Sequence, residues 1–203
     1  MGLIKVMAMG RRSQNDQVVT DLEIIRRCTA GEVRAQEILY RRYFSFAMSV
    51  AIRYKCDKGE AMEIVNDSFM KVLDKISEFD SSGSFRSWYG KIVVNTAIDN
   101  YRRSLKHTAV LPLVDLGTTE ELEPEIDNEL TVNDILSLFN KMPEKYRLTF
   151  NLFEIEGYSH EEIGEMLGIT ASSSRSSLAR AKKMLRKLYI MNFVGEERKN
   201  EAI

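Results

Sequence analysis

Apolar residues recur every three to four positions along most of this 203-residue chain, and no stretch alternates apolar with polar residues over the length of a strand. A period of about 3.6 residues is typical of amphipathic α-helices packed on one face. Hydrophobic residues make up 44% of the sequence and charged residues 29%, which provides enough apolar surface for a packed core. The sequence therefore predicts an all-α protein, with room for two small helical domains.

Interruptions of the helical spacing divide the chain into segments. The widest interruption carries Pro112, Gly117 and Pro124 together with a run of acidic residues, so we expect it to be an extended, self-repelling linker. Shorter breaks at turn residues separate four helices before the linker and four shorter helices after it. The predicted segments are a loose leader over residues 1–19, a first helical domain over 20–105, an acidic linker over 106–130, a second helical domain over 131–190 and a tail over 191–203.

Charge, cysteine content, the length of apolar runs and the lack of catalytic motifs argue against several classes of function. The net charge is −1, so a nucleic-acid surface would have to be local and offset elsewhere. Cys28 and Cys56 lie far apart with no CxxC spacing, which predicts a reduced, cytoplasmic protein without a disulfide framework, metal site or cofactor. No apolar run approaches the roughly 20 residues of a membrane span. No paired carboxylates, phosphate loop or nucleophile with a base stand out, so we expect a protein that is not an enzyme.

The last two predicted helices carry the clearest local motif. Ser159 and Glu162 have the spacing of a capping box, Gly168 suits the left-handed residue that ends a helix, and Thr170 can cap the next helix. A short helix, a tight turn and a longer helix make a helix-turn-helix. Small and basic residues near the start of the longer helix suit the major groove, and a later lysine suits phosphate. The residues expected at DNA are Ser172, Ser173, Arg175, Ser176, Ala179, Arg180 and Lys183.

A helical hairpin with a solvated basic face is the alternative interpretation of this segment. Three successive serines, Ser172 to Ser174, count against it. Serine is a mediocre helix former, so stability alone would favour alanine, glutamate or lysine on an exposed face.

The fourth predicted helix, which ends the first domain, has two informative faces. The residues predicted to form its buried stripe are Phe85, Trp88, Ile92 and Thr96. The residues predicted on the opposite face are Lys91, Asn95, Ile98 and Arg102, with Arg103 at the exit. An asparagine beside cations, close in sequence to aromatic residues such as Phe79, is typical of a surface for unstacked single-stranded bases.

Two segments resemble extracytoplasmic-function sigma factors of bacterial RNA polymerase. The sequence EIVNDSF, residues 63–69, is similar to the family's acidic-aromatic segment on the helix that binds the clamp helices of the polymerase largest subunit. The sequence FRSWYGKIVVNTAIDNYRR, residues 85–103, is similar to the family's helix that melts and reads the minus-ten element. The resemblance covers nearly the whole chain after residue 20. Tyr89 stands where the family usually has leucine, and Ser177 where it often has a second basic residue.

The resemblance implies a non-enzymatic mechanism, in which the first domain binds core polymerase and the opened minus-ten strand, and the second binds the duplex at minus thirty-five. Phe79 and Asn95 would line a pocket for a flipped base. The implied partners are core RNA polymerase, promoter DNA as duplex and as melted strand, and an anti-sigma factor. The residues assigned to core polymerase are Glu63, Asn66, Asp67, Phe69 and Met70. The residues assigned to the minus-ten element are Phe79, Lys91, Asn95, Arg102 and Arg103.

A helix-turn-helix repressor or activator with a ligand-sensing first domain is the alternative function. Such a protein would need an effector pocket or a dimer interface in its first domain. The basic, asparagine-bearing helix that ends this domain argues for nucleic acid instead.

Overall fold

The computed structural model describes residues 20–107 and 131–194 of the chain. All regular structure in these two ranges is helical, which confirms the all-α prediction, and none of their helices is long and apolar enough to cross a membrane. The predicted leader, residues 108–130 of the predicted acidic linker and residues 195–203 of the predicted tail lie outside the described residues. The α-helices of the described ranges are α1 Asp21–Thr29, α2 Val33–Lys55, α3 Lys58–Lys75, α4 Phe85–His107, α5 Val132–Asn140, α6 Glu144–Phe150, α7 His160–Leu167 and α8 Ala171–Tyr189. A 3-10 turn at Ile76–Glu78 follows α3, and π-helical turns at Asn151–Ile155 and Ile190–Val194 continue α6 and α8.

Side-chain caps fix where the helices begin. The predicted capping box of α7 is complete: the Glu162 N–H donates to Ser159 Oγ at 3.2 Å, and the Ser159 N–H donates to the Glu162 carboxylate at 2.8 Å. At the start of α1 only half of such a box forms. The Glu23 N–H donates to Thr20 Oγ1 at 3.3 Å, but the Glu23 carboxylate pairs with Arg26 at 3.0 Å. Each capped N–H removes one of the unpaired donors of a first helical turn.

The described residues form two compact units. The first consists of residues 20–50 and 63–96, and the second of residues 51–62, 97–107 and 131–194. Helices α2, α3 and α4 therefore contribute residues to both units. The domain boundaries expected from sequence remain a prediction.

Aromatic rings fill the centre of the first unit. Phe69, Phe85 and Tyr89 are buried. Tyr43 contacts Phe85 edge-on, with 4.8 Å between ring centroids, and Tyr89 lies 6.4 Å from Phe69 in the same orientation. Such pairs stabilise a core by about 1 kcal/mol each beyond their burial. In the same unit, burial raises the pKa of the Cys28 thiol to about 11, so that thiol is protonated at neutral pH.

Helix α4 is rotated relative to the prediction. Phe85 and Thr96 are buried as expected, but Trp88 and Ile92 are only half-buried, and Ile98, predicted on the exposed face, is 3% exposed. Apolar side chains surround much of this helix, so the spacing alone does not fix which of them face the core. The other buried hydrophobic positions of α4 are Tyr89, Val93, Val94, Ala97 and Tyr101.

The second unit contains a buried cation. The Arg147 side chain, on α6, donates from Nε to the Tyr54 carbonyl at 3.0 Å and from Nη1 to the Phe139 carbonyl at 3.1 Å. Asn151, one turn later, donates to the Arg53 carbonyl at 2.9 Å. These bonds supply donors to carbonyls in the last turn of α2, which accept no hydrogen bond from within their own helix. Arg147 therefore joins the ends of α2 and α5 to α6.

Candidate functional site

One side of α3 presents polar residues at helical spacing. Glu63 and Asp67 are exposed, Met70 is 46% exposed, and Asn66 is half-buried between them. Positions separated by three, four and seven residues share a helix face, so these four side chains form one surface, hereafter the α3 surface. The hydroxyl of Tyr40, on α2, donates to Asn66 Oδ1 at 2.8 Å. The α3 surface is therefore acidic, with an amide at its middle and a thioether at one end.

Phe69 does not belong to the α3 surface. Its side chain is 3% exposed, and the ring of Tyr40 meets it edge-on at 5.0 Å between centroids. A fully packed ring cannot contact a partner without leaving the core. The burial of Phe69 therefore counts against the direct polymerase contact expected for it from the sequence.

Aromatic residues cluster before and at the start of α4. The ring of Phe79 lies 5.4 Å from Trp88 and 5.4 Å from Phe85. Phe79 and Trp88 are half-buried, so each keeps part of its ring at the surface. The turn that leads into α4 is fixed by Asp80, whose carboxylate accepts from the backbone and hydroxyl of Ser82 at 2.9 and 2.7 Å. The cluster is thus held in place while offering ring faces for stacking.

The polar face predicted on α4 is retained in part. Lys91 and Asn95 are exposed and lie one turn apart. Arg102 and Arg103 are also exposed, and Arg102 donates from Nη2 to the Glu165 carbonyl at 2.5 Å. The face therefore carries an amide and cations along one helix.

The recognition helix of the predicted helix-turn-helix is α8, which follows α7 after a tight turn. Gly168 ends α7 with a φ of 67°, the left-handed conformation that glycine adopts without strain. Thr170 caps α8 by accepting from the Ser173 N–H at 3.1 Å, and Ser173 is half-buried as a result. The exposed residues among those predicted at DNA are Ser172, Arg175, Ser176, Ala179, Arg180 and Lys183.

Two serines of α8 lie in the core. Ser174 is 0% and Ser177 is 3% exposed. The exposed face expected for Ser172 to Ser174 is thus wrong for its third member, and Ser177 is too buried to read a base. Both lie on the stripe that includes Leu178 and Ala181, so helical spacing could have identified them.

The sequence interpretation also missed a polar contact between α7 and α8. The Nδ1 atom of His160 lies 3.0 Å from Ser174 Oγ, and the His160 ring stacks on Phe153 at 4.5 Å between centroids. His160 is half-buried. The contact gives the buried hydroxyl of Ser174 a partner and fixes the two helices of the motif against each other.

Acidic residues pair with the cations of α8. Arg175 lies 3.4 Å from the Glu161 carboxylate, and Lys182 lies 2.7 Å from that of Glu154. Both pairs are largely exposed, so each stabilises the fold by less than about 1 kcal/mol. Replacing such a pair with a contact to phosphate would therefore cost little stability. Residues 20–107 and 131–194 contain no group of His, Cys, Asp and Glu side chains that could hold a metal ion.

Comparison with known protein families matches the two halves of the chain separately. Residues 39–106 match the model described as Sigma-70 region 2, and residues 133–185 match that described as Sigma-70, region 4. Together these ranges cover more than half of the chain. The α3 surface and the polar face of α4 lie in the first range, and the helix-turn-helix lies in the second.

The chain is also similar to individual sigma factors. The chain is 26% identical over 179 residues to the ECF RNA polymerase sigma-E factor of Haemophilus influenzae, covering 82% of this chain and 94% of the relative. It is 28% identical over 159 residues to the RNA polymerase sigma factor YlaC of Bacillus subtilis, covering 74% of this chain and 90% of the relative. A solved structure of the sigma factor RpoE with the anti-sigma factor NepR, from Bartonella quintana, matches 77% of this chain and 97% of that one, with 18% identity and a TM-score of 0.47.

Region 2 precedes region 4 in this chain, and the sigma-E relative matches 82% of it. The chain therefore belongs to the extracytoplasmic-function sigma factors of bacterial RNA polymerase.

Proposed function

We propose that the protein binds core RNA polymerase through the α3 surface, captures the opened minus-ten strand along α4, and reads the minus-thirty-five element with α8. One observation carries this proposal. A single chain presents an exposed acidic face on α3 and a cationic, amide-bearing helix in region 2, followed by an exposed basic helix of a helix-turn-helix in region 4.

The α3 surface is proposed as the polymerase contact because its exposed groups suit a basic partner. Glu63 and Asp67 are carboxylates on one face, and Met70 adds a flexible apolar contact beside them. Asn66 supplies an amide between the two carboxylates. A positively charged, helical segment of the polymerase would complement this surface.

The minus-ten element is proposed to bind along α4. Exposed Asn95 can hydrogen-bond the edge of an unpaired base, and Lys91 lies on the same face to meet its phosphate. The half-buried ring of Phe79 supplies a stacking surface for a base taken out of the duplex. Arg102 and Arg103 would hold the backbone further along the helix.

The minus-thirty-five element is proposed to bind at α8. Its first two turns expose the hydroxyls of Ser172 and Ser176 and the guanidinium of Arg175, which can bond base edges in the major groove. Lys183 follows about two turns after Arg175, where such a helix leaves the groove beside the phosphates.

The family resemblance also implies an anti-sigma factor as a restraining partner. The protein acts where core polymerase and the chromosome are, which makes the cytoplasm its proposed location. We propose no catalytic step for the chain itself.

Binding to core polymerase tests the proposal. The protein should form a one-to-one complex with purified core enzyme, and this complex should initiate transcription from a cognate promoter that core enzyme alone does not open. Asp67→Arg reverses the charge at the middle of the α3 surface, so it should abolish core binding while circular dichroism of the free protein stays unchanged.

A repressor or activator with a sensory first domain is the competing function. Such a protein would bind the duplex alone and would not form a stoichiometric complex with core polymerase. Wild-type affinity for core enzyme in Asp67→Arg would instead reject the α3 surface as the contact.

A further inference from the structure

Tyr40 is anchored at both ends of its side chain. Its ring meets Phe69 edge-on at 5.0 Å and Phe44 at 5.6 Å between centroids, and its hydroxyl donates to Asn66 Oδ1 at 2.8 Å. Tyr40 lies on α2, whereas Phe69 and Asn66 lie on α3. The residue therefore connects the packed interior of the first unit to the middle of the α3 surface.

The hydrogen bond determines which end of the Asn66 amide faces outward. A carboxamide has one acceptor oxygen and an NH₂ group with two donors. Because the Tyr40 hydroxyl donates to Oδ1, the Nδ2 donors remain for a partner. Burial raises the pKa of Tyr40, so its phenol keeps the proton that it donates throughout the neutral range.

Fixing this amide lowers the cost of binding. An asparagine on an exposed helix samples several rotamers, and a partner that bonds it must restrict them. In this protein the Tyr40 hydroxyl restricts Asn66 before any partner arrives. The position matters because Asn66 lies between the carboxylates of Glu63 and Asp67 on the same face.

We propose that Tyr40 is a positioning residue for the polymerase contact, which holds Asn66 so that the α3 surface presents two N–H donors between two carboxylates. The matching partner surface carries a carbonyl or carboxylate acceptor flanked by cationic side chains. This inference rests on the proposed function of the α3 surface. In this proposal Tyr40 contributes to polymerase binding without contacting the polymerase itself.

A double-mutant cycle separates positioning from simple packing. Tyr40→Phe keeps the ring against Phe69 and removes only the hydroxyl. Full-length wild type, Tyr40→Phe, Asn66→Ala and the double variant are titrated with purified core RNA polymerase, and the thermal unfolding of each free protein is recorded. Tyr40→Phe should weaken core binding about five-fold, because the partner must then restrict the Asn66 rotamers itself.

The effect of Tyr40→Phe should vanish when Asn66 is already alanine, because the hydroxyl then has nothing to position. An equal loss of core affinity in both backgrounds would show that Tyr40 acts through packing and would overturn the inference. So would an unchanged affinity in Tyr40→Phe.

Tyr43→Phe is the matched control. Tyr43 lies on the same helix and also donates its hydroxyl, but to the carboxylate of Asp21 on α1. Removing the Tyr43 hydroxyl should lower the unfolding temperature and leave core affinity unchanged. If Tyr43→Phe weakened core binding as much as Tyr40→Phe, loss of stability would explain both and the inference would fail.

Asp67→Arg separates this inference from the function on which it rests. If Asp67→Arg binds core polymerase normally, the α3 surface is not the contact and the proposed function fails with it. If Asp67→Arg loses binding while Tyr40→Phe retains it, the surface stands and only the positioning role is rejected.

Discussion

At the scale of single residues, Arg147 shows how a charged group is accommodated in the core of a small helical unit. Its side chain is 6% exposed and donates to backbone carbonyls at the end of α2, at the end of α5 and in the α5–α6 connection. The partners are carbonyls at helix ends, which need donors whether or not a cation is present. The cost of burying the guanidinium is thus offset by acceptors that the fold must satisfy in any case.

Arg147→Met should destabilise the protein by about 3 kcal/mol, because the thioether fills similar space but leaves these buried carbonyls without their donor. Urea unfolding followed by circular dichroism measures the change. Arg180→Met is the control, since Arg180 is exposed and donates to the Tyr146 hydroxyl at a long distance of 3.4 Å. Equal stability of the Arg147 variant and wild type would show that the carbonyls find other donors.

At the scale of elements, the turn between α7 and α8 depends on a glycine inside α7. A Cβ atom added to Gly164 would lie 2.8 Å from the Ile169 carbonyl and 3.4 Å from the Ala171 nitrogen. The Ile169 N–H donates to the Gly164 carbonyl at 2.9 Å, so the two segments cannot easily separate. Gly164 is therefore needed because the backbone of the turn passes too close to leave room for a side chain.

Gly164→Ala should therefore lower the free energy of unfolding by about 2 kcal/mol, even though alanine is the better helix former by about 1 kcal/mol. It should also weaken binding to duplex DNA, because α8 must shift relative to α7. Thermal unfolding and DNA titration measure the two effects. Glu165→Ala, at the next and exposed position, should change stability by less than about 0.5 kcal/mol. A more stable Gly164→Ala variant would contradict the close approach.

Helix α8 divides its contacts along its length. Arg175, near its start, should read bases, so Arg175→Ala should cost about 1–3 kcal/mol on the cognate duplex and relax preference at one or two positions. Lys183→Ala should weaken cognate and scrambled duplexes alike and reduce the salt dependence by about one unit of slope. Salt-titrated binding to both duplexes provides the measurement. Equal loss on both duplexes for Arg175→Ala would assign that residue to phosphate.

Helix boundaries were predictable from sequence because their causes are local. Ser159 and Gly168 act within a few residues of themselves, through a cap and a left-handed turn. The rotation of α4 was not predictable, because it depends on which neighbours cover a helix that is apolar on several sides. Ile98 is buried for that reason. The burial of Phe69 likewise follows from the ring of Tyr40, which lies 29 positions earlier in the chain.

At the scale of the whole molecule, the surfaces proposed for polymerase and for the opened strand lie on different helices of region 2. Glu63 and Asp67 belong to α3, whereas Lys91 and Asn95 belong to α4. Substitutions in one set leave the side chains of the other set intact. Core binding and promoter opening should therefore be separable by mutation, which would not hold for a protein that used one surface for both.

Asn95→Ala should retain core binding and lose promoter opening, because the exposed amide that would hold an unpaired base is removed while the α3 surface is untouched. Gel filtration with core polymerase measures the first property, and permanganate reactivity of unpaired thymines around minus ten measures the second. Asp67→Arg should lose both properties, since opening requires the assembled enzyme. Asn100→Ala, the same substitution at a half-buried position on a different side of α4, is the matched control and should retain both. Normal permanganate reactivity in Asn95→Ala on the native promoter would remove Asn95 from the strand-binding surface, and Lys91 would then be the next residue on that face to test.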